Sequence, residues 1–124
     1  MSAVAWAAFV IAGAVGAPLR YVVDRAVQDR AEGAFPWGTL VVNLTGSFLF
    51  GFLTGIALYH AFPTEPKVVL GTGFLGAYTT FSNFTFETVR LLEEHAINEA
   101  IRNIVGTLIT CAVAAAAGIA LAAL

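Results

Sequence analysis

The side chains able to do chemistry in this 124-residue sequence are neutral hydrogen-bonding groups set inside apolar runs. One set is Asn43, Thr45 and Ser47; a second is Thr79, Thr80, Ser82, Asn83 and Thr85; a third is Asn103, Thr107, Thr110 and Cys111. Asn43 and Ser47 lie four residues apart, as do Asn103, Thr107 and Cys111, so on helices each set falls along one face. A Ser or Thr can return its hydroxyl to its own helix and an Asn can join two helices, so such tracks serve either packing or the passage of a polar solute. Asn43 carries the strongest signal. Its amide holds two donors that must find partners at membrane depth.

The run from Gly71 to Phe84 holds three glycines and a Thr-Thr pair, which make poor helix. A break near Gly76 to Thr80 is expected. Broken helices persist in a bilayer only where protein or a cavity satisfies the freed carbonyls, and such carbonyls are natural ligands for a hard cation. Phe81 and Phe84, three apart, share a face; the spacing fits packing against core or lipid, and beside Asn and Thr donors the positive ring edges also suit an anion.

Several chemistries are excluded. No acidic residue lies within an apolar run, since Asp24 and Glu87 stand at the ends, whereas a proton-coupled antiporter needs one at depth. His60 and His95 have neither metal-ligand spacing nor a nucleophile partner, and the glycines match neither a phosphate loop nor a hydrolase elbow. The chain reads as a non-enzyme. The single cysteine, Cys111, forms no intramolecular disulfide and no multi-Cys zinc site. A net charge of −2 without a basic tract removes the footprint of a nucleic-acid binder.

The elements that must position these groups follow from composition. Six basic and eight acidic residues stand against 59% hydrophobic residues, with a mean hydropathy of +0.84. Soluble domains carry about 25% charged residues, so a bilayer is the expected solvent. Charge-free runs cover Met1 to Leu19, Gly33 to Thr64, Val68 to Phe86 and Asn103 to Leu124. The shortest would reach about 28 Å as helix, close to the hydrocarbon thickness. The expected organisation is one four-helix transmembrane domain over 1–124, with helices at about 3–24, 38–60, 68–93 and 98–123. Pro36 and Trp37 suit an interfacial helix start, Phe62 to Lys67 a tight turn, and Glu87 to Arg102 a helical extension and turn at headgroup level. The first run lacks a basic n-region and stays as a helix. Loops one and three hold five Lys or Arg against one on loop two, which by itself places them in the cytoplasm. Small-residue pairs, Gly13/Ala17, Gly51/Gly55 and Ala114/Gly118, serve close packing within a subunit or between subunits.

The blocks Pro36-Trp37-Gly38-Thr39-Leu40 with Val42-Asn43, Gly46-Ser47, and Gly73-Phe74-Leu75-Gly76 leading into Thr79-Thr80-Phe81-Ser82 and Glu87 closely resemble the Fluc (CrcB) fluoride channel family. The resemblance covers nearly the whole chain. It implies an all-α membrane protein of four transmembrane helices per subunit with a broken third helix, assembled as an antiparallel dual-topology homodimer in the cell membrane. It further implies passive fluoride efflux that protects against fluoride toxicity, two pores, and a structural sodium ion (Na+) at the dimer interface. Carried onto this sequence, the fluoride pore residues are Asn43, Phe81, Phe84, Ser82, Thr39, Asn103, Thr107 and Glu87, the vestibule cation is Arg20, and the sodium ligands are the main-chain carbonyls of Gly76 and Thr79. Asn83 stands where Ser or Thr is commoner, and Asn103 departs from the usual residue of its track. The rival readings are a small dual-topology four-helix drug or cation exporter, which requires a carboxylate inside a helix, and a non-transporting accessory subunit. Fluoride itself is small and strongly hydrated, so a pore must replace its water with neutral donors and positive edges, while a buried Arg would hold it too tightly.

Overall fold

A computed structural model describes all 124 residues. The first helix, α1, spans Ala3–Gln28. Ser2 caps it, its hydroxyl accepting from the Ala5 N–H at 3.1 Å. α1 continues past residue 24 because the charged residues there extend it as readily as they would a loop, Arg25 pairing one turn on with Asp29 at 3.4 Å. The second helix, α2, spans Trp37–Tyr59. Its start is built by α1: Gln28 Oε1 accepts from the Gly38 N–H at 3.1 Å, and the Asp24 carboxylate packs so closely on Gly38 that any Cβ there would collide with it. A carboxylate at a helix N-terminus suits the positive end of the dipole.

Ala61, with φ of 51°, turns the chain after α2. The next helix, α3 (Thr64–Val68), begins inside the stretch expected to be only a turn. Pro66 is accommodated because it falls in the first turn, where a missing N–H removes no helical bond. The Glu65 carboxylate accepts from the Ser2 N–H and, at 3.0 Å, from its hydroxyl, fastening the start of α1 to α3. The Ser2 backbone N–H, then its hydroxyl, hold the Glu65 carboxyl below its ordinary range.

From α3 the backbone widens into a π-helical stretch, Val69–Leu75, followed by the short α4 (Gly76–Tyr78) and, after three non-helical residues, α5 (Ser82–Glu93). α5 closes with paired bonds from the Ala96 N–H to the Leu91 carbonyl (2.8 Å) and from the His95 N–H to the Leu92 carbonyl (3.1 Å), His95 taking φ of 59°. That sharp stop folds α6 (Ile97–Ala122) back along the bundle.

α1, α2 and α6 are each long and apolar enough to cross a bilayer, and the protein is a multi-pass membrane protein. Trp6, Val10, Phe86, Leu108 and Val113 all stand exposed, an apolar surface that water would not tolerate and lipid does. The interior is narrow. Val42, Leu75 and Tyr78 form its centre, with Val23 and Phe74 packed against them. α2 packs most extensively on α6. That contact consumes the small residues: a Cβ on Gly51 would lie 2.1 Å from the Ala115 carbonyl oxygen, and one on Gly118 would lie 2.2 Å from that of Phe48. Gly55 likewise abuts Ala122. The GxxxG pair of α2 therefore packs within the subunit. On α1 the close approach falls at Gly16, against the Phe74 carbonyl, rather than at Gly13, whose neighbours stay at ordinary distance.

Replacing Gly51 by Leu should lower stability by about 1–3 kcal/mol, the usual cost of overpacking. Gly106→Ala, with open space around the added methyl, should leave stability unchanged or raise it. Thermal unfolding of both variants in detergent checks this contrast.

Candidate functional site

The site begins where α4 stops. Thr79 is extended, with ψ of 159°, and Thr80 and Phe81 precede the restart at Ser82. Asn43, on the buried side of α2, spans this interruption. Its Nδ2 donates to the Thr80 carbonyl at 2.8 Å, and its Oδ1 accepts from the Thr80 N–H at 2.8 Å. In a continuous helix the Thr80 N–H would bond the Gly76 carbonyl. Asn43 takes that donor, so the Gly76 carbonyl lacks its helical partner. The Thr80 hydroxyl accepts from the Asn83 N–H at 3.0 Å and caps the first turn of α5. The Thr79 hydroxyl returns to the Leu75 carbonyl at 2.9 Å.

The glycines of this segment divide in function. Gly73 lies against Phe9 and Gly71 against Leu53 and Phe50, both as packing surfaces, whereas a Cβ on Gly76 would meet nothing nearer than 3.8 Å. Gly76 faces outward. Thr45, exposed on α2, returns its hydroxyl to the Val41 carbonyl at 2.7 Å and lies 2.9 Å from the Tyr78 hydroxyl, so it ties α2 to α4.

A second polar chain links α5 to α6. Asn103, fully buried, donates to the Thr88 hydroxyl at 2.8 Å, and the Thr88 hydroxyl donates to the Phe84 carbonyl at 2.8 Å. Thr107, one turn on, donates to Asn103 Oδ1 at 3.3 Å. These bonds fix the stretch of α5 that carries Phe84.

Together the segments enclose an outward-opening groove of about 730 Å³. Asn43, Ser47, Gly76, Thr79, Phe81, Phe84 and Thr107 line it, with Cys111 further along α6. Phe81 is 77% exposed, its ring centroid 5.8 Å from that of Phe84. No charged side chain lines the groove. Donors and ring edges are what it offers a solute.

Of the residues expected at the site, six meet in this groove: Asn43, Phe81, Phe84, Thr107, Gly76 and Thr79. Ser82 lies just outside, its hydroxyl 3.2 Å from that of Thr80. Asn103 sits behind the lining, and Thr39 is buried one turn before Asn43. Arg20 is half-buried on α1 and lines no part of the groove. Glu87 lines a separate polar cavity of about 360 Å³ at the end of α1. Thr88 and Arg90 were not singled out from the sequence, and Thr80, noted there as one of the polar residues at the break, acts through its backbone. Thr80 supplies the backbone that Asn43 grips, Thr88 holds Asn103, and Arg90 lies 2.6 Å from Glu87. The i, i+3 spacing of Glu87 and Arg90 was the available signal; Thr88 had none beyond its polarity.

The exporter reading needs a carboxylate in the groove, and the lining holds none. No three His, Cys, Asp or Glu side chains stand close enough together to hold a metal ion, so a bound metal would rely on main-chain or hydroxyl oxygens.

Fold and groove together define a small multi-pass helical membrane protein whose neutral polar side chains open onto one face of the subunit. The chain belongs to the CrcB-like protein family (Camphor Resistance, CrcB), whose model matches residues 7–119. A protein of Mycolicibacterium paratuberculosis named fluoride-specific ion channel FluC 2 is 48% identical over 96% of this chain and 94% of its own length. Fluoride-specific ion channel FluC 1 of Streptomyces avermitilis is 48% identical over 89% of this chain and 90% of its own. Fluoride-specific ion channel FluC 2 of Mycobacterium bovis is 44% identical over 91% and 86%.

Asn43→Ala should strand both the N–H and the carbonyl of Thr80, a loss of about 1–3 kcal/mol for each buried group. Asn43→Gln, which keeps a donor and an acceptor on a longer stem, should retain part of the stability. Unfolding of the two variants in a denaturing detergent series checks the order.

Proposed function

We propose that the protein is a fluoride-selective channel of the cell membrane that lets fluoride leave the cell down its own gradient and so relieves fluoride toxicity. The observation that carries this reading is the uncharged groove in which Asn43, Thr107, Phe81 and Phe84 converge. Fluoride parts with its hydration shell only where other donors replace it. Amide and hydroxyl hydrogens and the positive edges of phenyl rings do so without the tight grip of a buried cation. The names of the relatives support the same solute.

The groove is open along one side, so one subunit supplies only part of a pore wall. A second copy then packs antiparallel across that side and closes two pores, with 68–93 acting as a third membrane crossing broken at Thr79. Thr39, Ser82, Asn103 and Glu87 then belong to the pore's walls and mouth, and Arg20 to its vestibule. Membrane lipid covers the remaining apolar faces. A structural sodium ion at the shared axis would take the carbonyls of Gly76 and Thr79 from each copy. The fit rests on two features: Gly76 faces outward with room beside it, and its carbonyl has lost its helical donor to Asn43. Bound there, the ion would neutralise facing carbonyls at membrane depth.

In proteoliposomes read with a fluoride electrode, the protein should release fluoride without a proton gradient. Phe81→Ile should slow that release about tenfold, the factor expected from losing an aromatic-edge contact. Undiminished release by this variant would count against the pore assignment. Gly76→Val, which meets no clash inside the chain, should elute as a monomer in light scattering if a second copy packs there. A dimer indistinguishable from the parent would remove the sodium axis from Gly76.

A further inference from the structure

We propose that Arg90 is a positioning residue for fluoride entry, holding the Glu87 carboxylate in place and cancelling its charge. The inference rests on the channel reading above. Phe81, Phe84 and Glu87 recur at three-residue spacing, so they follow one side of α5 from the groove toward the polar cavity that Glu87 lines. An anion leaving or entering by that route passes a carboxylate. Unscreened, that charge repels it.

The cavity lies between the end of α1, the loop before α2, and α5. Three acids face it, Asp24, Glu87 and Glu94, against two cations, Arg25 and Arg90. Arg25 is engaged with Asp29. Arg90 is therefore the cation available to Glu87, with Nη2 at 2.6 Å from Glu87 Oε2 and Nε at 4.0 Å from Glu94 Oε1. Glu87 Oε2 and Arg90 Nε are both shut off from solvent and neither makes a hydrogen bond, so charge pairing holds the two side chains together. A carboxylate oxygen without water and without this guanidinium would be an uncompensated charge at the mouth. Arg90 also reaches the Ala34 carbonyl at 3.5 Å, which ties the pair to the loop before α2. The planar fork of an Arg can serve Glu87, Glu94 and a carbonyl together, which a Lys ammonium does less well.

The test measures fluoride efflux from proteoliposomes for the parent, Arg90→Gln, Arg90→Lys and the double variant Arg90→Gln/Glu87→Gln. Arg90→Gln should slow efflux about fivefold at low salt, the factor for one unit charge at close range in water. The deficit should shrink as salt rises from about 0.01 M to 0.15 M, where the screening length falls from about 30 to about 8 Å. Arg90→Lys should recover at least half of the parent rate, and the rate of the double variant, whatever its level, should change with salt no more than the parent's does. A purely structural staple would give a loss that salt and the Lys variant leave untouched, and that result would overturn the proposal. So would Arg90→Gln efflux equal to the parent's. Should the Gln variant fail to elute as the parent does, Arg90→Lys at low salt decides: a rate as low as that of an empty vesicle sinks the idea. A parent protein with no fluoride efflux would instead bring down the channel reading itself.

Discussion

The reciprocal pair of hydrogen bonds between the Asn43 amide and the Thr80 backbone is the constraint on which the site depends. At membrane depth every main-chain donor and acceptor needs a partner inside the protein. An interruption of the helical path between α4 and α5 therefore needs a group that both donates and accepts in one place. A primary amide does so through two separate atoms, and can therefore pair with the N–H and the C=O of one residue at once. Once Asn43 fills this role, α2 and the interrupted segment are locked together, and the direction in which Phe81 projects follows from the backbone at Thr79 and Thr80.

The remaining packing supports that lock from two sides. Gly51, Gly55 and Gly118 bring α2 and α6 into backbone contact, and the Asn103–Thr88 bond carries α5 on α6. Behind the break, Gly16 and Gly73 let α1 close on the π-helical stretch. The side chains with most exposed apolar area are left on the outer faces, where lipid is the available solvent. Small residues thus build the subunit, and the groove remains as an uncharged, open face of it.

Charge is arranged on the same principle. Ionisable groups gather at the helix ends, where Arg25 meets Asp29, Arg90 meets Glu87 and Glu94, and Arg102 meets Glu99. The groove between those ends is neutral. Long apolar helices exclude charge from their middles on energetic grounds alone, so the groove presents dipoles rather than ions.

The sequence alone determined that the chain lives in a membrane, roughly where its helices run, that its chemistry is neutral hydrogen bonding, and that Asn43 and the run around Gly76 to Phe84 are the informative residues. These follow from composition and from local spacing, which the chain carries without folding. Tertiary structure decided what spacing cannot express. It set the helix ends that depend on distant partners, such as the start of α2 on Gln28 and of α3 beside Ser2. It also assigned the glycines: Gly51 and Gly118 to contact inside the subunit, Gly71 and Gly73 to packing, and Gly76 to the open face at the break. Periodicity places a small residue on a helix face but does not say which neighbour that face will meet. It decided, last, that Asn43 grips Thr80, 37 residues away, because a hydrogen bond depends on where two segments meet in space, and no local pattern records that meeting.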